Sequence, residues 1–230
     1  MNKKITTVMR LLQFTDSAFP VGTFSFSNGL ETAAHEGIVY NADTLEQYAH
    51  AIALQAAYSD GVIALHAFRA AKEDKYEALV DADRKLILFK MNEEARQMLQ
   101  RMGKKLAELG THIFSQPILQ KWLDDIRDEK TPGTYPVAQA LAFALAELSE
   151  EELFCSHQYG VINMVLSAAL RCVKVSHYDT QRILFKLSEQ SQDLYEEVRT
   201  MTFEDMNAFV PQIDILASLH EKGNMRMFMN

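Results

Sequence analysis

Glycine and proline are scarce in this sequence, with 9 and 5 residues among 230. Sandwiches and barrels built from many short strands need frequent turn residues, so this scarcity argues against both architectures. Alternation of apolar and polar residues, which would indicate strands, never extends over more than a few positions. The abundant residues include Ala, Leu, Glu, Gln, Lys and Met, which all favour helices. The composition therefore predicts an all-α fold.

Positive charge is also in short supply. Lys and Arg total 23 against 31 for Asp and Glu, which gives a formal net charge of −8. The two basic pairs, Lys3-Lys4 and Lys104-Lys105, are isolated and belong to no longer basic tract. Because the phosphate backbone of a duplex would be repelled overall, we expect no binding of nucleic acid.

Cysteine occurs only twice, at Cys155 and Cys172. If one helix joins the two residues, they lie roughly 25 Å apart along its axis, which is far beyond the reach of a disulfide. We therefore expect two buried free thiols.

Long hydrophobic runs are missing from the sequence. The most apolar stretch, residues 137–148, is too short to span a bilayer. Near the N-terminus, Arg10, Gln13 and Asp16 interrupt the chain before the apolar core of a signal peptide can form. These features predict a cytoplasmic protein that has no membrane partner.

Apolar residues recur at three- and four-residue spacing along most of the chain, and 48% of all residues are hydrophobic. This pattern predicts a single-domain bundle of about nine or ten helices over residues 1–210. After an N-terminal helix that begins near Ile5, the predicted helices cover about 43–58, 62–71, 76–86, 88–109, 118–127, 136–148, 149–175 and 181–197. Ser59-Asp60-Gly61 predicts a hairpin or a kink, and residues 128–134 predict a surface loop.

The end of the chain loses this periodicity after about residue 200. Pro211 is predicted to block continuation of a helix. Three methionines, Arg226 and Phe228 follow within the last six residues. We interpret residues 211–230 as a partly ordered tail that docks onto a partner, and composition alone leaves a dangling, inert tail equally open.

Familiar catalytic motifs do not occur: the chain has no G-x-S-x-G, H-E-x-x-H, C-x-x-C or Walker-type phosphate loop. Residues 19–31 contain Gly22 and Gly29 ahead of a helix, but two phenylalanines separate these glycines, so the phosphate-binding signal is weak. A fixed turn with an aromatic plug and a Ser/Asn helix cap is the simpler interpretation.

The seven histidines include no pair at i, i+3 or i, i+4 spacing, so no closed metal site is encoded locally. Glu31 and His35 lie four residues apart on one predicted helix and could supply half of a weak nickel or zinc site. An ordinary surface pair is the simpler interpretation. We expect any nickel or zinc to be held only weakly by the free protein.

Residues 11–31, LLQFTDSAFPVGTFSFSNGLE, closely resemble the opening of the UreF family of urease accessory proteins. The similarity extends over essentially the whole chain, and its further matches lie at residues 96–103, 135–138, 168–169, 181–184 and 211–228. The sequence departs from the family pattern at Thr23, where a second glycine is usual. It also has Lys-Val-Ser-His at residues 174–177, where Pro-Leu-Gly-Gln is common.

The resemblance implies an all-α protein that is not an enzyme and that forms a homodimer. It implies that the dimer bridges UreD (also called UreH) and the GTPase UreG while nickel is loaded into apo-urease. It further implies an influence on GTP hydrolysis by UreG, with nickel handled transiently by the complex and no tightly bound cofactor. The matching residues that we expect to contact partners are Pro20, Gly22, Phe24, Ser25, Ser27, Gly29, Glu31, Gln181, Arg182, His220, Glu221, Met225, Arg226 and Phe228.

Two alternatives remain open at this point. The first is a metal-dependent helical enzyme in which Glu31 and His35 converge with distant acidic residues. The second is a direct GTPase-activating protein that inserts one arginine into the UreG site. The sequence does not identify which arginine would do so.

Overall fold

The computed structural model describes residues 4–23, 26–207, 210–220 and 227–228. These residues form helices and connecting turns with no strand among them, which confirms the all-α prediction. The α-helices in chain order are α1 Lys4–Thr15, α2 Leu30–His35, α3 Ala42–Ala56, α4 Val62–Lys72, α5 Tyr76–Leu88, α6 Glu93–Ile113, α7 Pro117–Arg127, α8 Tyr135–Leu145, α9 Glu150–Cys172, α10 His177–Ser188, α11 Ser191–Val198 and α12 Pro211–His220. A π-helical turn, Ala57–Gly61, joins α3 to α4, and a 3-10 turn lies at Phe203–Asp205.

A π-helical turn lies at Ser59-Asp60-Gly61, where the sequence predicted a hairpin or a kink. The backbone stays helical from α3 through α4, because the turn accommodates the extra residue in i→i+5 geometry. Ser59 Oγ donates to the carbonyl of Gln55 at 2.6 Å, which satisfies its hydroxyl inside the helix. The side chain of Asp60 is directed into the protein interior, where it is 9% exposed.

Side-chain caps start the helices that pack around the functional region. Asn41 Oδ1 accepts from the Thr44 N–H at 2.9 Å at the start of α3. At α9, Ser149 and Glu152 exchange reciprocal hydrogen bonds that cap the first turn of the helix. Ser176 caps α10, so this helix begins four residues before the predicted start. The predicted helix 181–197 is therefore two helices, α10 and α11.

Two clusters of buried apolar side chains form the interior. The larger cluster includes side chains of α4, α6 and α8, with Trp122 and Phe143 fully buried. The smaller cluster joins α2, α3, α9, α10 and α12. Ala42–Lys72 and α9 are long and apolar enough to cross a membrane by length and composition, but 72% and 61% of an apolar 18-residue stretch in each are buried inside the protein. Such burial is typical of the core helices of a folded protein. The length and apolar composition of these two segments are therefore only weak evidence for a membrane span.

The loop that precedes α8 is fixed by the buried carboxylate of Asp83 on α5. Its two oxygens accept from the Thr131 hydroxyl at 2.6 Å, from the backbone N–H groups of Gly133 and Thr134 at 2.7 and 2.8 Å, and from the Thr134 hydroxyl at 2.5 Å. Desolvation raises the pKa of Asp83, although these hydrogen bonds oppose the shift. The predicted surface loop is thus tied to the core at its C-terminal end.

Close approach of backbones explains Gly103 in the middle of α6. A Cβ at this position would lie 2.0 Å from the Gly133 carbonyl oxygen and 2.5 Å from the carbonyl carbon of Thr134. Only glycine lets the loop ahead of α8 lie this close to α6.

Pro211 is the first residue of α12, a helix that the tail prediction did not include. Proline suits this position because the first turn of a helix needs no N–H from its N1 residue and proline presets the helical φ. Ile213, Leu216 and Ala217 are buried, and the first two belong to the smaller cluster. Residues 211–220 therefore pack into the interior of the protein.

The prediction of two buried thiols is wrong for Cys155, which is exposed on α9, while Cys172 is partly buried. The two cysteines are 17 positions apart, and at 100° per residue they lie on different faces of α9. These faces differ in how far they are buried. Both cysteines are free.

Candidate functional site

The segment before α2 contains the turn that the sequence singled out. Pro20 and Gly22 are exposed, whereas Ser27 is fully buried and Gly29 is also buried. Phe24 and Ser25, which belong to the same prediction, lie outside the described residues. The segment therefore has a solvent-facing first half and a second half that anchors it to the protein.

Gly29 is the point where this segment contacts the last helix. Its φ is +76°, and a Cβ would lie 3.0 Å from the backbone nitrogen of Ala217 and 3.1 Å from Tyr48 Oη. Tyr48 Oη donates to the carbonyl of Asn28 at 2.6 Å. Both the positive φ and the close contact with α12 require glycine at this position.

Three ionisable side chains meet beside this contact, and we call Glu31, Glu94 and His220 the carboxylate–histidine cluster. His220 Nε2 lies 2.9 Å from Glu31 Oε2, and His220 Nδ1 lies 3.1 Å from Glu94 Oε2. The side chain of His220 is 3% exposed, and those of Glu31 and Glu94 are 13% and 9% exposed. The cluster therefore joins α2, α6 and α12 inside the protein.

The charge of the cluster follows from its hydrogen bonds. Both ring nitrogens of His220 face carboxylate oxygens, whereas a neutral imidazole has only one N–H donor. Both contacts are satisfied when the ring is an imidazolium or when one of the carboxyl groups carries the proton. Burial by itself would raise the pKa of Glu31, but hydrogen bonds from the Met227 N–H, from His220 and from the Phe228 N–H lower it overall.

Glu31 also contacts residues near the C-terminal end of the chain. The N–H groups of Met227 and Phe228 donate to the two Glu31 oxygens at 2.8 and 3.2 Å. Phe228 is 5% exposed, and the Arg171 guanidinium lies 5.0 Å from the centroid of its ring. Phe228 thus packs against its own chain. The other tail residues predicted to contact partners, Glu221, Met225 and Arg226, lie outside the described residues.

In the structure, His35 and Glu31 have different partners. Its ring is 85% exposed and its Nδ1 contacts Glu36 at 3.3 Å, while Glu31 is engaged by His220 and by backbone N–H groups. Over the described ranges 4–23, 26–207, 210–220 and 227–228, no three or more His, Cys, Asp or Glu side chains are grouped so as to hold a metal ion.

Gln181 and Arg182 lie on a separate, exposed face of α10. Arg182 pairs loosely with Asp179 at 3.5 Å. Tyr178 and Phe185, at 89% and 73% exposure, lie three or four residues to either side and share this face. We call these four residues the α10 surface. The two exposed aromatic residues were not singled out in the sequence, since helical spacing alone does not tell an exposed face from a buried one.

Glu94 was also missed by sequence reasoning. It is one of two acidic residues in the first turn of α6, where a carboxylate is common for its interaction with the helix dipole. Its approach to His220, 126 positions away, arises from tertiary packing alone.

The fold and this site define an all-helical protein whose N-terminal motif and last helix are joined by buried ionisable groups. The family model described as UreF matches residues 39–188. Over 228 residues the chain is 44% identical to urease accessory protein UreF 2 of Brucella abortus, which covers 99% of this chain and 94% of the relative. It is 40% identical over 223 residues to urease accessory protein UreF of Yersinia pseudotuberculosis, which covers 97% and 98% of the two chains. The chain belongs to the UreF family.

Proposed function

We propose that this protein is a non-catalytic scaffold that bridges UreD (UreH) and the GTPase UreG while nickel is delivered to apo-urease. The observation that carries this proposal is the full-length similarity to proteins named urease accessory protein UreF. The proposal includes a homodimer in the cytoplasm that modulates GTP hydrolysis by UreG. Nickel is its transient cargo, and no cofactor is bound tightly.

The α10 surface supports a role in partner binding. Large aromatic side chains that remain exposed on one helix face favour contact with another protein. Tyr178 and Phe185 supply apolar area, and Gln181 and Arg182 between them supply hydrogen-bonding groups. Tyrosine, phenylalanine and arginine are enriched at protein interfaces.

A second exposed apolar face lies on α1. Its members are Ile5, Val8, Met9 and Leu12, with exposures from 43% to 82%. Their spacing of three and four residues keeps them on one side of the helix. Two separate apolar faces suit a scaffold, which must contact more than one protein.

The residues predicted to contact partners fall into two groups, exposed and buried. Pro20 and Gly22 are exposed and suited to direct contact. Buried members of the set, such as Ser27, Gly29 and His220, are suited to holding the exposed turn in place. We assign Glu31 and Phe228 to this supporting role as well, because they contact each other and Phe228 packs against Arg171 of the same chain.

Substitution of the α10 surface tests the bridging role. We expect Tyr178→Ser combined with Phe185→Ser to keep the melting temperature of the parent and to weaken capture of UreD or UreG at least ten-fold. The matched control is Leu88→Ser at the end of α5, where the side chain is 79% exposed. Equal capture by the parent and the double variant would rule out this surface.

Direct activation of UreG by an arginine is the alternative that concerns the same partner. An arginine that enters a GTPase site typically contributes a factor of about 1,000 or more to the rate. Under the scaffold proposal, each arginine-to-alanine variant should change GTP hydrolysis in the assembled complex by no more than about ten-fold. A single variant with a loss of about 1,000-fold and intact assembly would favour the activator.

No observation favours the metal-dependent enzyme built on Glu31 and His35. Glu31 already accepts hydrogen bonds from His220, Met227 and Phe228. We do not carry that alternative forward.

A further inference from the structure

A cavity of about 100 Å³, lined mainly by apolar side chains with a few polar ones, lies apart from the carboxylate–histidine cluster. Its wall includes residues of the π-helical turn, of the connection from α5 to α6, and of α9 and α12. Its polar lining includes Asp60, Lys90 and His157.

Asp60 has one satisfied and one unsatisfied oxygen. Its Oδ2 accepts from Lys90 Nζ at 2.6 Å, and both side chains are largely buried. Its Oδ1 is buried and has no hydrogen-bond partner among the described residues. The π-helical geometry brings this carboxylate into the interior, and such turns are frequent at functional sites.

His157 presents a second unsatisfied atom to the same cavity. Its Nδ1 lies 3.1 Å from Gln139 Oε1, while Gln139 Nε2 donates to Ser156 Oγ at 3.2 Å. In this arrangement His157 Nδ1 carries the proton, so Nε2 carries a lone pair. Desolvation by burial lowers the pKa of His157, which favours this neutral form. Nε2 is buried with no partner in the described part of the chain.

Two acceptors at one cavity restrict the ligand that it can take. An anion is disfavoured, because both atoms offer lone pairs. A divalent cation is disfavoured because the Lys90 ammonium already neutralises Asp60 and only one nitrogen and one carboxylate oxygen are unpaired. What these atoms lack is N–H or O–H donors.

We propose that this cavity is a binding site for a small hydrogen-bond donor that bridges Asp60 and His157. Water and the ammonium ion share the required chemistry, since each carries at least two donor hydrogens and fits the cavity volume. The bound donor links the π-helical turn to α9 across the interior. The site goes beyond the proposed scaffold function and does not depend on it.

Gly160 provides an independent probe of the cavity. It lines this cavity and also a neighbouring one of about 70 Å³, and a Cβ built on it meets no atom within 4 Å. A larger side chain at this position would extend into the open space of these cavities. Gly160→Leu should therefore displace the donor with little disturbance of the helix.

The first test is a high-resolution crystal structure of the unmodified protein, grown without ammonium. We expect an electron-density peak about 2.6–3.2 Å from both Asp60 Oδ1 and His157 Nε2. The peak should disappear in His157→Phe, which keeps a ring but has no lone pair, and in Gly160→Leu. A parent structure with no peak at these two atoms would overturn the proposal.

Nitrogen NMR of the His157 ring in the unmodified protein gives a second test that needs no variant. We expect a neutral ring protonated at Nδ1, and a proton on Nε2 instead would overturn the proposal. Titration with ammonium chloride, matched against sodium chloride, separates the two sources. A His157 shift specific to ammonium identifies an ammonium site, and equal responses identify water. Stoichiometric binding of Ni²⁺ or Zn²⁺ that His157→Phe abolishes would replace the proposal with a metal site.

Discussion

His220 Nε2 lies 2.9 Å from Glu31 Oε2, although 189 positions separate these residues in the chain. This contact joins the last helix to the helix that follows the N-terminal motif. Glu94 contacts the other nitrogen of the imidazole ring. The buried His220 side chain therefore links α12 to both α2 and α6. The exposed turn at Pro20 and Gly22 is thereby presented on a fixed support.

Loss of the shared partner in this cluster should destabilise the protein. We expect His220→Gln to lower the free energy of unfolding by about 3 kcal/mol, because it leaves two buried carboxyl groups without the side chain that contacts both of them. Urea denaturation measures this change. His35→Gln is the control, since its ring is exposed, and it should leave the midpoint unchanged. Equal midpoints for all three proteins would show that the cluster contributes nothing.

Acidification should remove the contribution of Glu31. Its folded-state pKa is lowered from the ordinary value of 4.5, so its stabilisation is present above that pH and is lost as the pH falls through the folded-state value. The difference in unfolding free energy between the parent and Glu31→Gln should be constant near neutral pH and shrink below about 4.5. The raised pKa values of Asp83 and Asp214 act in the opposite direction, but both residues are present in both proteins. A difference that grows on acidification would contradict this sign.

Two helix glycines should respond oppositely to the same substitution. Gly103→Ala places a Cβ 2.0 Å from the Gly133 carbonyl, and we expect a loss of about 2–3 kcal/mol in stability. Gly160→Ala meets no atom within 4 Å and should gain up to about 1 kcal/mol from helix propensity. Thermal melts of the two variants measure the contrast. A stable Gly103→Ala variant would show that the loop ahead of α8 can move away from α6.

The helical periodicity of the sequence predicted most of the fold, since α3 to α9 bury the apolar faces that their spacing defines. The tail prediction did not include α12, because proline is compatible with a helix start as well as a helix stop, and only packing decides between them. The site was predicted in part. Glu31 and His220 were both singled out, but their pairing depends on how α2 and α12 meet, which a single sequence does not encode locally.

Two truncations distinguish residues at the C-terminal end that stabilise the fold from residues that bind a partner. A chain that ends at Val210 lacks Ile213 and Leu216, and we expect a loss of about 4 kcal/mol or more in stability. A chain that ends at His220 keeps α12 and should fold. If the rest of the predicted docking tail, 211–230, contacts the partner, this chain should capture UreD poorly. Thermal melts followed by capture on tagged UreD measure both effects. Normal capture by the chain that ends at His220 would rule out the docking tail.

Whether this chain joins UreD to UreG is tested most directly by co-expressing it with its cognate partners and with apo-urease. UreG is then recovered on tagged UreD, and urease activity is measured after nickel is added. We expect UreG to be recovered, and urease to become active, only when this chain is present. Equal recovery of UreG and equal urease activity without this chain would contradict the bridging role.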